Sequence, residues 1–497
     1  MSTNSVYHDG EFEVPPSEAT SLLCKNETSN GYCTISCEEK SNKEEENFFM
    51  KSTSSIDSGC EEHEINQSQI SHRSILATLV EKVSEDNKAP LFLTIFTILP
   101  VLQGSAVLGV PYAFLVGGKA FLPAALFICV IATICSNLLI DSLYEVSPRS
   151  QRRKRVYDGY EDLALACWGR FGSHVVKAMT ILYFAMNNVV NMVLLFKSLD
   201  NLLHGLLPIT TNELGYLFVL LLLPILFGVR RFSIFGYFGL IGTVAVLIAC
   251  ITSIVVFIQH SGDWATHYHE LPTIDWERYP VAISIMMYTV IIAPTLPNIE
   301  ATMTDRSQAP ASVYISFGIS SIFKSIYGII AVLTFGLSTK ELIATNVSEL
   351  SIPSRYIMSI MLIVYVFCNS SYFIYLMLDI IDQILIKNVS GKIASGERYR
   401  IPWMLFSRPL CLVILVVTSL VMPFFALVSG VVGAICGSFL AFISPVLFHL
   451  KLKWNNMSLL RRVMEILLLI LTILLGSLTT FTSMNELIKA IRIHHDV

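Results

Sequence analysis

The fold of this chain is decided by the segment Leu91-Phe-Leu-Thr-Ile-Phe-Thr-Ile-Leu-Pro-Val-Leu-Gln-Gly-Ser-Ala-Val-Leu-Gly-Val-Pro-Tyr-Ala113. The segment is apolar enough to cross a bilayer, yet its middle contains Gln103, Gly104 and Pro111. A helix that spans a bilayer cannot leave backbone N–H and C=O groups unpaired in hydrocarbon. A break at this depth is typical of a discontinuous helix whose freed backbone groups hold a polar substrate. The segment therefore predicts a transporter.

Composition predicts an all-α polytopic membrane protein. The 497 residues are 53% hydrophobic and 14% charged, with a mean hydropathy of +0.61, whereas soluble domains carry about 25% charged residues. Residues 1–89 are acidic and rich in Ser, Glu, Asn and Lys, so we expect a disordered tail there, with no removable signal peptide, and a transmembrane transporter domain over 90–497. About eleven spans, numbered in chain order, are predicted near 91–117, 119–145, 173–203, 213–229, 235–259, 280–303, 311–337, 354–386, 403–422, 424–450 and 461–483.

Lys and Arg residues predict the orientation of the spans. They concentrate in the loops between spans 2 and 3, 4 and 5, 8 and 9, and 10 and 11. Such loops face the cytoplasm, so we expect a cytoplasmic N-terminus and a luminal C-terminus. The sequon at Asn346 then falls on the luminal side, and we predict glycosylation at this residue.

Span 6 is a second broken segment, in which Pro294 and Pro297 each remove a backbone donor. Spans 1 and 6 occupy matching places in two halves of five helices each. A pair of interrupted segments in corresponding positions is the best sequence indication of a transporter site. The alternative is two helices that are merely kinked by proline, which membranes tolerate.

The chemistry of the break in span 1 indicates an amino acid substrate. The second half of span 1 is expected to begin near Val107, with Pro111 in its first turn, and its positive end suits a carboxylate. Glycines permit close approach of a ligand to the backbone, and unwound carbonyls accept an ammonium. Interhelical hydrogen bonding is the alternative role for the two asparagines in the predicted set. The predicted substrate-binding residues are Gln103, Gly104, Ser105, Val107, Gly109, Asn187, Thr289, Pro294, Thr295 and Asn369.

Two charged residues inside spans are candidates for proton coupling, because intramembrane charges are costly and usually functional. They are Glu300, at the end of span 6, and Lys324, in span 7. We expect that they pair with each other, and that burial favours the protonated form of Glu300. The alternative is that Glu300 only ends a helix at the cytoplasmic interface.

The tail contains two patterns that resemble sorting addresses. Glu18-Ala-Thr-Ser-Leu22-Leu23 is an acidic dileucine pattern, and Tyr32-Cys-Thr-Ile35 is a tyrosine pattern. Addresses of this kind are recognised by receptors, here clathrin-adaptor proteins, and do not anchor a protein. The alternative is that short patterns arise by chance in a polar tail.

Several stretches together resemble one family of transporters. Gln103-Gly-Ser-Ala-Val-Leu-Gly-Val-Pro-Tyr-Ala113, Leu296-Pro-Asn-Ile-Glu300 and Pro445-Val-Leu-Phe-His-Leu450 resemble the amino acid/auxin permease family, most closely its vesicular carriers of GABA and glycine. The resemblance implies a LeuT-like 5+5 inverted repeat with one extra helix. It also implies exchange against protons, with chloride as a further candidate ion, in the membrane of synaptic or secretory vesicles.

Three positions depart from the pattern of that family. Phe424 follows Pro423 where a His is expected, Ala434 follows Gly433 where a Ser is expected, and Tyr183 stands where a carboxylate is expected. These departures bear on the substrate and the proton path rather than on the fold.

The leading hypothesis is a proton-coupled secondary transporter that loads small neutral amino acids into vesicles by alternating access. It requires a lipid bilayer, and we expect no cofactor and no nucleic acid partner. The alternatives are a plasma-membrane or lysosomal carrier, and a non-transporting membrane sensor of amino acids. An enzyme is disfavoured because no nucleophile–base pair or metal set is evident. An ion channel is disfavoured because no filter-like loop repeats.

Overall fold

The computed structural model describes residues 21–29, 32–40, 90–146, 153–203, 213, 232–389 and 397–496. Within them, seven helices are long and apolar enough to cross a membrane, or eight if the two parts of span 1 count as one span. This confirms a helical multi-pass membrane protein. Predicted span 4 lies outside the described residues except for Glu213, so the count of eleven and the inverted repeat stay predictions.

The described helices follow the predicted spans closely. Span 1 comprises Leu91–Gln103 and Val110–Gly117, span 2 Phe121–Ser142, span 3 Tyr160–Leu203, span 5 Phe232–Gln259, span 6 Tyr279–Tyr288 and Leu296–Ala301, span 7 Ala309–Phe335, span 8 Ile352–Val389, span 9 Glu397–Val421, span 10 Phe425–Val432, the π-helical Gly433–Ile443 and Ser444–Lys453, and span 11 Leu459–Asp496. Short helices lie in two loops, at Trp264–Glu270 and Ile343–Leu350. Single 3₁₀ turns lie at Ser105–Gly109, Ser261–Asp263, Arg306–Gln308, Gly336–Ser338 and Trp454–Asn456.

Two small antiparallel hairpins accompany the helices. Tyr144–Val146 pairs with Arg153–Arg155 in the loop between spans 2 and 3. We call this the 2–3 hairpin, and the face of the protein that carries it the hairpin side.

The second hairpin belongs to the tail. Ser21–Ser29 pairs with Tyr32–Lys40 there. Leu22, Leu23 and the tyrosine pattern Tyr32–Ile35 therefore lie in strands, whereas residues 18–20 of the dileucine pattern lie outside the described residues. The disorder expected over residues 1–89 stays a prediction.

Span 3 begins earlier than hydropathy predicted. Its helix starts at Tyr160, whose hydroxyl donates to the Leu440 carbonyl at 2.6 Å. The helix is interrupted at Trp168 and Gly169, where Gly169 has a φ of 64° that glycine adopts without steric cost. The polar residues in its first turns lower the local hydropathy, so hydropathy alone does not predict that the helix begins at Tyr160.

Spans 1 and 6 are both broken, as the sequence predicted. Span 1 bends by 42° between Gln103 and Ser105, and residues 289–295 of span 6 are not helical. The second half of span 1 packs on the first half of span 6, and the two remaining halves also touch. The two breaks therefore lie side by side, with Pro111 and Pro297 each in the first turn of the following half-helix.

Span 10 passes very close to span 6 at Gly433. A Cβ atom on Gly433 would lie 2.0 Å from the Ser284 carbonyl oxygen and 2.6 Å from the Tyr288 backbone nitrogen. Both neighbours are backbone atoms, which cannot rotate away. Span 10 can therefore pack this closely against the first half of span 6 only because Gly433 has no side chain.

We predict that Gly433→Ala destabilises the protein. Overpacking of this kind costs about 1–3 kcal/mol, so the purified variant should melt at a lower temperature in detergent. The control is Gly318→Ala in span 7, where a Cβ meets nothing within 4 Å and the helix gains about 1 kcal/mol of propensity. Equal melting temperatures for the two variants would contradict the close packing of spans 6 and 10.

Candidate functional site

A cavity of about 100 Å³ opens at the break in span 1. On the same measure one water needs roughly 10–15 Å³, so the cavity holds several waters or one small solute. Five spans contribute to its wall. The lining residues are Pro100, Val101, Gly104, Ser105 and Ala106 of span 1, Tyr183 and Asn187 of span 3, Phe238, Gly239, Gly242, Thr243 and Val246 of span 5, Tyr288 of span 6, and Tyr365, Asn369, Tyr372 and Phe373 of span 8.

Side chains from spans 3 and 8 bind the unwound part of span 1. The Ser105 N–H donates to the Tyr365 hydroxyl oxygen at 2.8 Å, and the Ser105 hydroxyl donates to Asn191 Oδ1 at 3.0 Å. Asn191 Nδ2 in turn donates to Asn369 Oδ1 at 3.0 Å. These bonds satisfy groups that the broken helix leaves free, so the break is held open by a polar network.

Asn187 carries an unused donor at the cavity. Its Oδ1 accepts from the Tyr288 hydroxyl at 2.7 Å, whereas its buried Nδ2 has no hydrogen-bond partner among the described residues. A buried donor without a partner costs about 1–3 kcal/mol. A ligand with an acceptor oxygen would remove this cost, which makes Asn187 the clearest indication of a binding site.

The cavity wall is uncharged and mostly apolar, with a few polar groups. None of the described residues that line it is acidic or basic. Tyr183 stands where the family pattern has a carboxylate, and its hydroxyl donates to the Ile291 carbonyl in the break of span 6 at 3.4 Å. Burying an unpaired charge is very costly, so a mostly apolar wall with a few amide, hydroxyl and backbone groups suits a small ligand with no net charge.

Lys324 binds the break in span 6 from span 7. The side chain is fully buried, and its Nζ donates to the Thr289 carbonyl at 2.8 Å. Thr289 is the first residue after the helix Tyr279–Tyr288, so this carbonyl is one that unwinding exposes. The ammonium thus stabilises span 6 much as Tyr365 stabilises span 1.

Glu300 does not pair with Lys324, and that expectation was wrong. Its carboxylate is 1% exposed and accepts from the Tyr144 hydroxyl of the 2–3 hairpin. Arg155 Nε lies 3.4 Å from Glu300 Oε2, and Arg306 Nε lies 3.9 Å from Oε1. Glu300 therefore lies at the hairpin side, where the second half of span 6 ends, well away from the position of Lys324.

The contacts of Glu300 fasten the 2–3 hairpin to span 6. Arg155 Nη2 also donates to the Pro297 carbonyl at 3.2 Å. Burial, followed by the hydrogen bond to Glu300, raises the pKa of Tyr144 and keeps its hydroxyl a donor. We call Tyr144, Arg155 and Glu300 the latch.

The structure separates the predicted substrate-binding residues into two groups. Gly104, Ser105, Asn187 and Asn369 meet at the cavity. The others lie outside its wall. Gln103 is buried with an Oε1 that lacks a partner among the described residues, Val107 is fully buried, Gly109 packs on Phe425, and Thr289, Pro294 and Thr295 lie in the break of span 6.

Sequence reasoning missed Tyr365 and did not place Asn191 or Tyr288 among the predicted residues. Tyr365 lies four residues before Asn369, so the two share one face of span 8. This spacing in the sequence could have placed Tyr365 beside the predicted residue Asn369.

The sequon residue Asn346 is buried in the helix Ile343–Leu350. Its Nδ2 donates to the Ser338 carbonyl at 2.9 Å, and its Oδ1 accepts from the Lys340 N–H at 2.9 Å. Glycosylation stays a prediction, and this geometry argues against it because the amide nitrogen is already engaged inside the fold.

Comparison with known proteins identifies the family. Residues 89–488 match the family described as transmembrane amino acid transporter protein, and the chain belongs to it. The resemblance read from the sequence is thereby confirmed, and the protein is a transporter and not an enzyme.

Two of the similar proteins are named as vesicular transporters. The chain is 26% identical over 376 residues to the vesicular inhibitory amino acid transporter of Xenopus laevis, covering 73% of this chain and 70% of that one. It is 24% identical over 375 residues to the vesicular GABA transporter of Caenorhabditis elegans, covering 73% of each. A mutant manganese transporter of Eremococcus coleocola superposes at a TM-score of 0.42 with 12% identity, over 83% of this chain and 93% of that one.

We predict that Gly104→Ala weakens substrate binding through Tyr365. The added Cβ would lie 2.8 Å from the Tyr365 hydroxyl oxygen, so the hydroxyl must move away from span 1 and out of reach of a ligand bound at the Ser105 N–H. We expect about a tenfold loss of apparent affinity in uptake assays, equivalent to about 1.4 kcal/mol. In the double variant with Tyr365→Phe the two effects should be less than additive, because the displaced hydroxyl is absent.

Gly239→Ala is the matched control for this prediction. Gly239 lines the same cavity from span 5, but a Cβ there meets nothing within 4 Å. Similar losses for both glycine variants, or full additivity in the double variant, would contradict a specific contact between Gly104 and Tyr365.

Proposed function

We propose that this protein is a secondary transporter that exchanges small neutral amino acids, GABA and glycine among them, against protons across the membrane of synaptic or secretory vesicles. The observation that carries the proposal is the uncharged cavity at the break of span 1. Its wall contains Asn187, whose Nδ2 lacks a hydrogen-bond partner within the described ranges. A zwitterion has no net charge, and its carboxylate supplies the acceptor that Asn187 lacks.

The carboxylate of the substrate is expected to bind between spans 1 and 3. It accepts from Asn187 Nδ2 and takes the place of the Tyr365 oxygen at the Ser105 N–H. The Tyr365 hydroxyl keeps its proton and can then donate to the same carboxylate. Each bond is charge-assisted in the bound state, and such bonds are worth about 1.5–3 kcal/mol.

The ammonium of the substrate requires acceptors across the cavity. Asn369 Oδ1 accepts from Asn191 and retains a second lone pair. Aromatic side chains at Tyr183, Tyr288 and Phe373 restrict the remaining space. A cavity of about 100 Å³ bounded in this way favours amino acids without large side chains.

Alternating access requires that the two sides of the site open in turn. The latch closes the hairpin side, which Lys and Arg placement assigns to the cytoplasm. On the opposite side, an opening of about 480 Å³ is lined by Tyr112, Lys197 and Glu341, among others. Glu341 Oε2 accepts from the Ala426 N–H at 3.2 Å, and burial raises the pKa of this carboxyl. These features support a conformation closed towards the cytoplasm.

Vesicular location and proton coupling have separate support. The relatives named above are vesicular carriers of inhibitory amino acids or GABA, and the dileucine pattern at Leu22 and Leu23 would direct sorting through adaptor proteins. Glu300 and Lys324 are the candidates for the coupled proton. Both are buried, Lys324 binds the break of span 6, and Glu300 joins span 6 to Arg155 of the 2–3 hairpin.

Uptake into proteoliposomes tests the proposal. Purified protein is reconstituted, an inside-acid pH gradient is imposed, and radiolabelled glycine and GABA are supplied outside with larger amino acids as competitors. We expect accumulation that collapses when an ionophore dissipates the gradient. Binding of glycine or GABA without uptake would support the sensor hypothesis. Uptake at the same rate with and without the pH gradient would overturn the proposed exchange against protons.

We predict that Asn187→Leu lowers apparent affinity for glycine by about 10- to 150-fold, which corresponds to about 1.5–3 kcal/mol. The matched control is Asn188→Leu on the same helix, because Asn188 is buried but its Nδ2 donates to the Phe184 carbonyl at 2.8 Å within span 3. Asn188→Leu should leave apparent affinity nearly unchanged. Equal affinities for wild type and Asn187→Leu would remove Asn187 from the binding site.

We predict that Glu300→Gln abolishes accumulation driven by a pH gradient but retains exchange of labelled for unlabelled glycine. Gln keeps the size of the side chain yet cannot carry a proton between the two sides. Glu349→Gln is the control, since Glu349 is exposed on the opposite side and pairs with Lys340. Normal gradient-driven uptake by Glu300→Gln would show that Glu300 only fastens the hairpin.

A further inference from the structure

A buried histidine lies between two carboxylates where spans 2, 10 and 11 meet at the hairpin side. His449 of span 10 is fully buried. Its Nδ1 lies 2.8 Å from Glu465 Oε2 of span 11, and its Nε2 lies 3.0 Å from Asp141 Oδ2 of span 2. Neither the sequence motifs nor the latch assigns a role to this cluster.

The two carboxylates match the protonated form of His449. A neutral imidazole has one N–H, so one ring nitrogen would present its lone pair to a carboxylate. An imidazolium donates through both nitrogens and satisfies both contacts. The positions of Asp141 and Glu465 are therefore those expected around a bound proton.

Arg461 supplies the partner that the neutral form requires. Its Nη2 lies 3.2 Å from His449 Nε2, and its Nε donates to Glu465 Oε1 at 3.0 Å. When Nε2 has lost its proton, it can accept from Arg461 while Nδ1–H still donates to Glu465. Nε2 of the protonated ring can therefore donate to Asp141, and Nε2 of the neutral ring can accept from Arg461.

The charged and titratable groups around His449 come from spans 2, 3, 10 and 11 and from the 2–3 hairpin. Span 3 contributes Tyr160, whose ring packs on Phe448, and Cys167, which lies near Lys451. Asp141 and Cys135 belong to span 2, and Glu465 and Arg461 to span 11. Arg153 of the 2–3 hairpin pairs with Asp141, and Lys451 and Lys453 lie on the helix of His449 itself. With His449 neutral, two carboxylates already face two guanidinium groups, so this site gains or loses a charge without leaving any carboxylate unpaired.

The cluster is connected to the latch through Tyr144. Arg153 contacts Asp141, and its guanidinium carbon lies 5.6 Å from the centre of the Tyr144 ring. Lys453 Nζ donates to the Tyr144 carbonyl, while the Tyr144 hydroxyl donates to Glu300. A change in the pairing of Asp141 therefore acts on the same hairpin that closes span 6.

We propose that His449, with Asp141 and Glu465, is a proton-binding site distinct from Glu300 and Lys324, and that its occupancy controls the closure of the 2–3 hairpin over span 6. Protonation engages Asp141 through His449. Deprotonation transfers His449 to Arg461 and leaves Asp141 to Arg153 and to Arg461, whose Nη2 lies 3.8 Å from Asp141 Oδ2. This inference deepens the proposed transport function, on which its kinetic readout rests, whereas the titration itself does not depend on transport.

Direct titration of the histidines tests the binding site. Full-length protein labelled with ¹⁵N-histidine is reconstituted in lipid, and imidazole nitrogen shifts are recorded by solid-state NMR between about pH 5 and 8, where histidine titrates. The signal that is lost in His449→Gln should change with pH as a doubly protonated ring loses one proton. A His449 signal that keeps one protonation state over this range would overturn the proposal.

Exchange kinetics test the control of the hairpin. Exchange of labelled glycine at equal pH on both sides removes any driving gradient. We expect the exchange rate of the wild type to vary with pH, and that of His449→Gln to be independent of pH with its maximum retained. His174→Gln, at an exposed histidine that bonds only to the Arg170 carbonyl among the described residues, should keep the wild-type profile. A wild-type profile in His449→Gln would also overturn the proposal.

Asp141→Asn provides a second variant if His449→Gln does not fold. It retains the histidine but removes the charge beside Nε2, so the midpoint of both profiles should shift to lower pH by about 1–3 pH units. An unshifted midpoint would contradict the role of Asp141. Absence of glycine exchange in the wild type itself would refute the proposed function. The NMR titration would still test proton binding at His449, because it does not require transport.

Discussion

Backbone polar groups inside the bilayer must find partners, and the two broken spans expose several of them at once. The Ser105 N–H and the Thr289 carbonyl are two such groups, and Tyr365 and Lys324 bind them from spans 8 and 7. Removal of either partner would leave a polar group unpaired in a buried site, at a cost of about 1–3 kcal/mol. The polar side chains of spans 3, 7 and 8 are therefore best understood as the surroundings that allow spans 1 and 6 to remain unwound.

The cavity and the latch lie at different positions along the two broken spans. The cavity lies at the break of span 1, where Asn187 Nδ2 has no hydrogen-bond partner in the part of the chain that the structure describes. The latch lies at the end of span 6, where Glu300 binds the 2–3 hairpin. Because span 6 carries both the break and the latch, a change in the protonation of groups at the hairpin side can alter access to the cavity without contact between proton and substrate.

Features with local causes could be predicted from the sequence. Glycine and proline act on their own backbone, so the breaks at Gly104 and before Pro297 were predicted correctly. The binding role of Gly109 was inferred from the same property, but its missing side chain instead accommodates Phe425. Tyr365 contacts Ser105 across 260 positions in the chain, and such a contact depends on how span 8 is rotated. The expected pairing of Glu300 with Lys324 was wrong because the sequence does not show how deep in the membrane each residue of a span lies.

A structure determined with bound glycine or GABA would test the central claim most directly, namely that the substrate carboxylate replaces the Tyr365 oxygen at the broken span 1. We expect the carboxylate to lie within hydrogen-bond distance of the Ser105 N–H and Asn187 Nδ2, with the Tyr365 hydroxyl displaced from its present 2.8 Å contact. A ligand found elsewhere, such as in the opening beside Lys197 and Glu341, with the contact between Ser105 and Tyr365 intact, would contradict it.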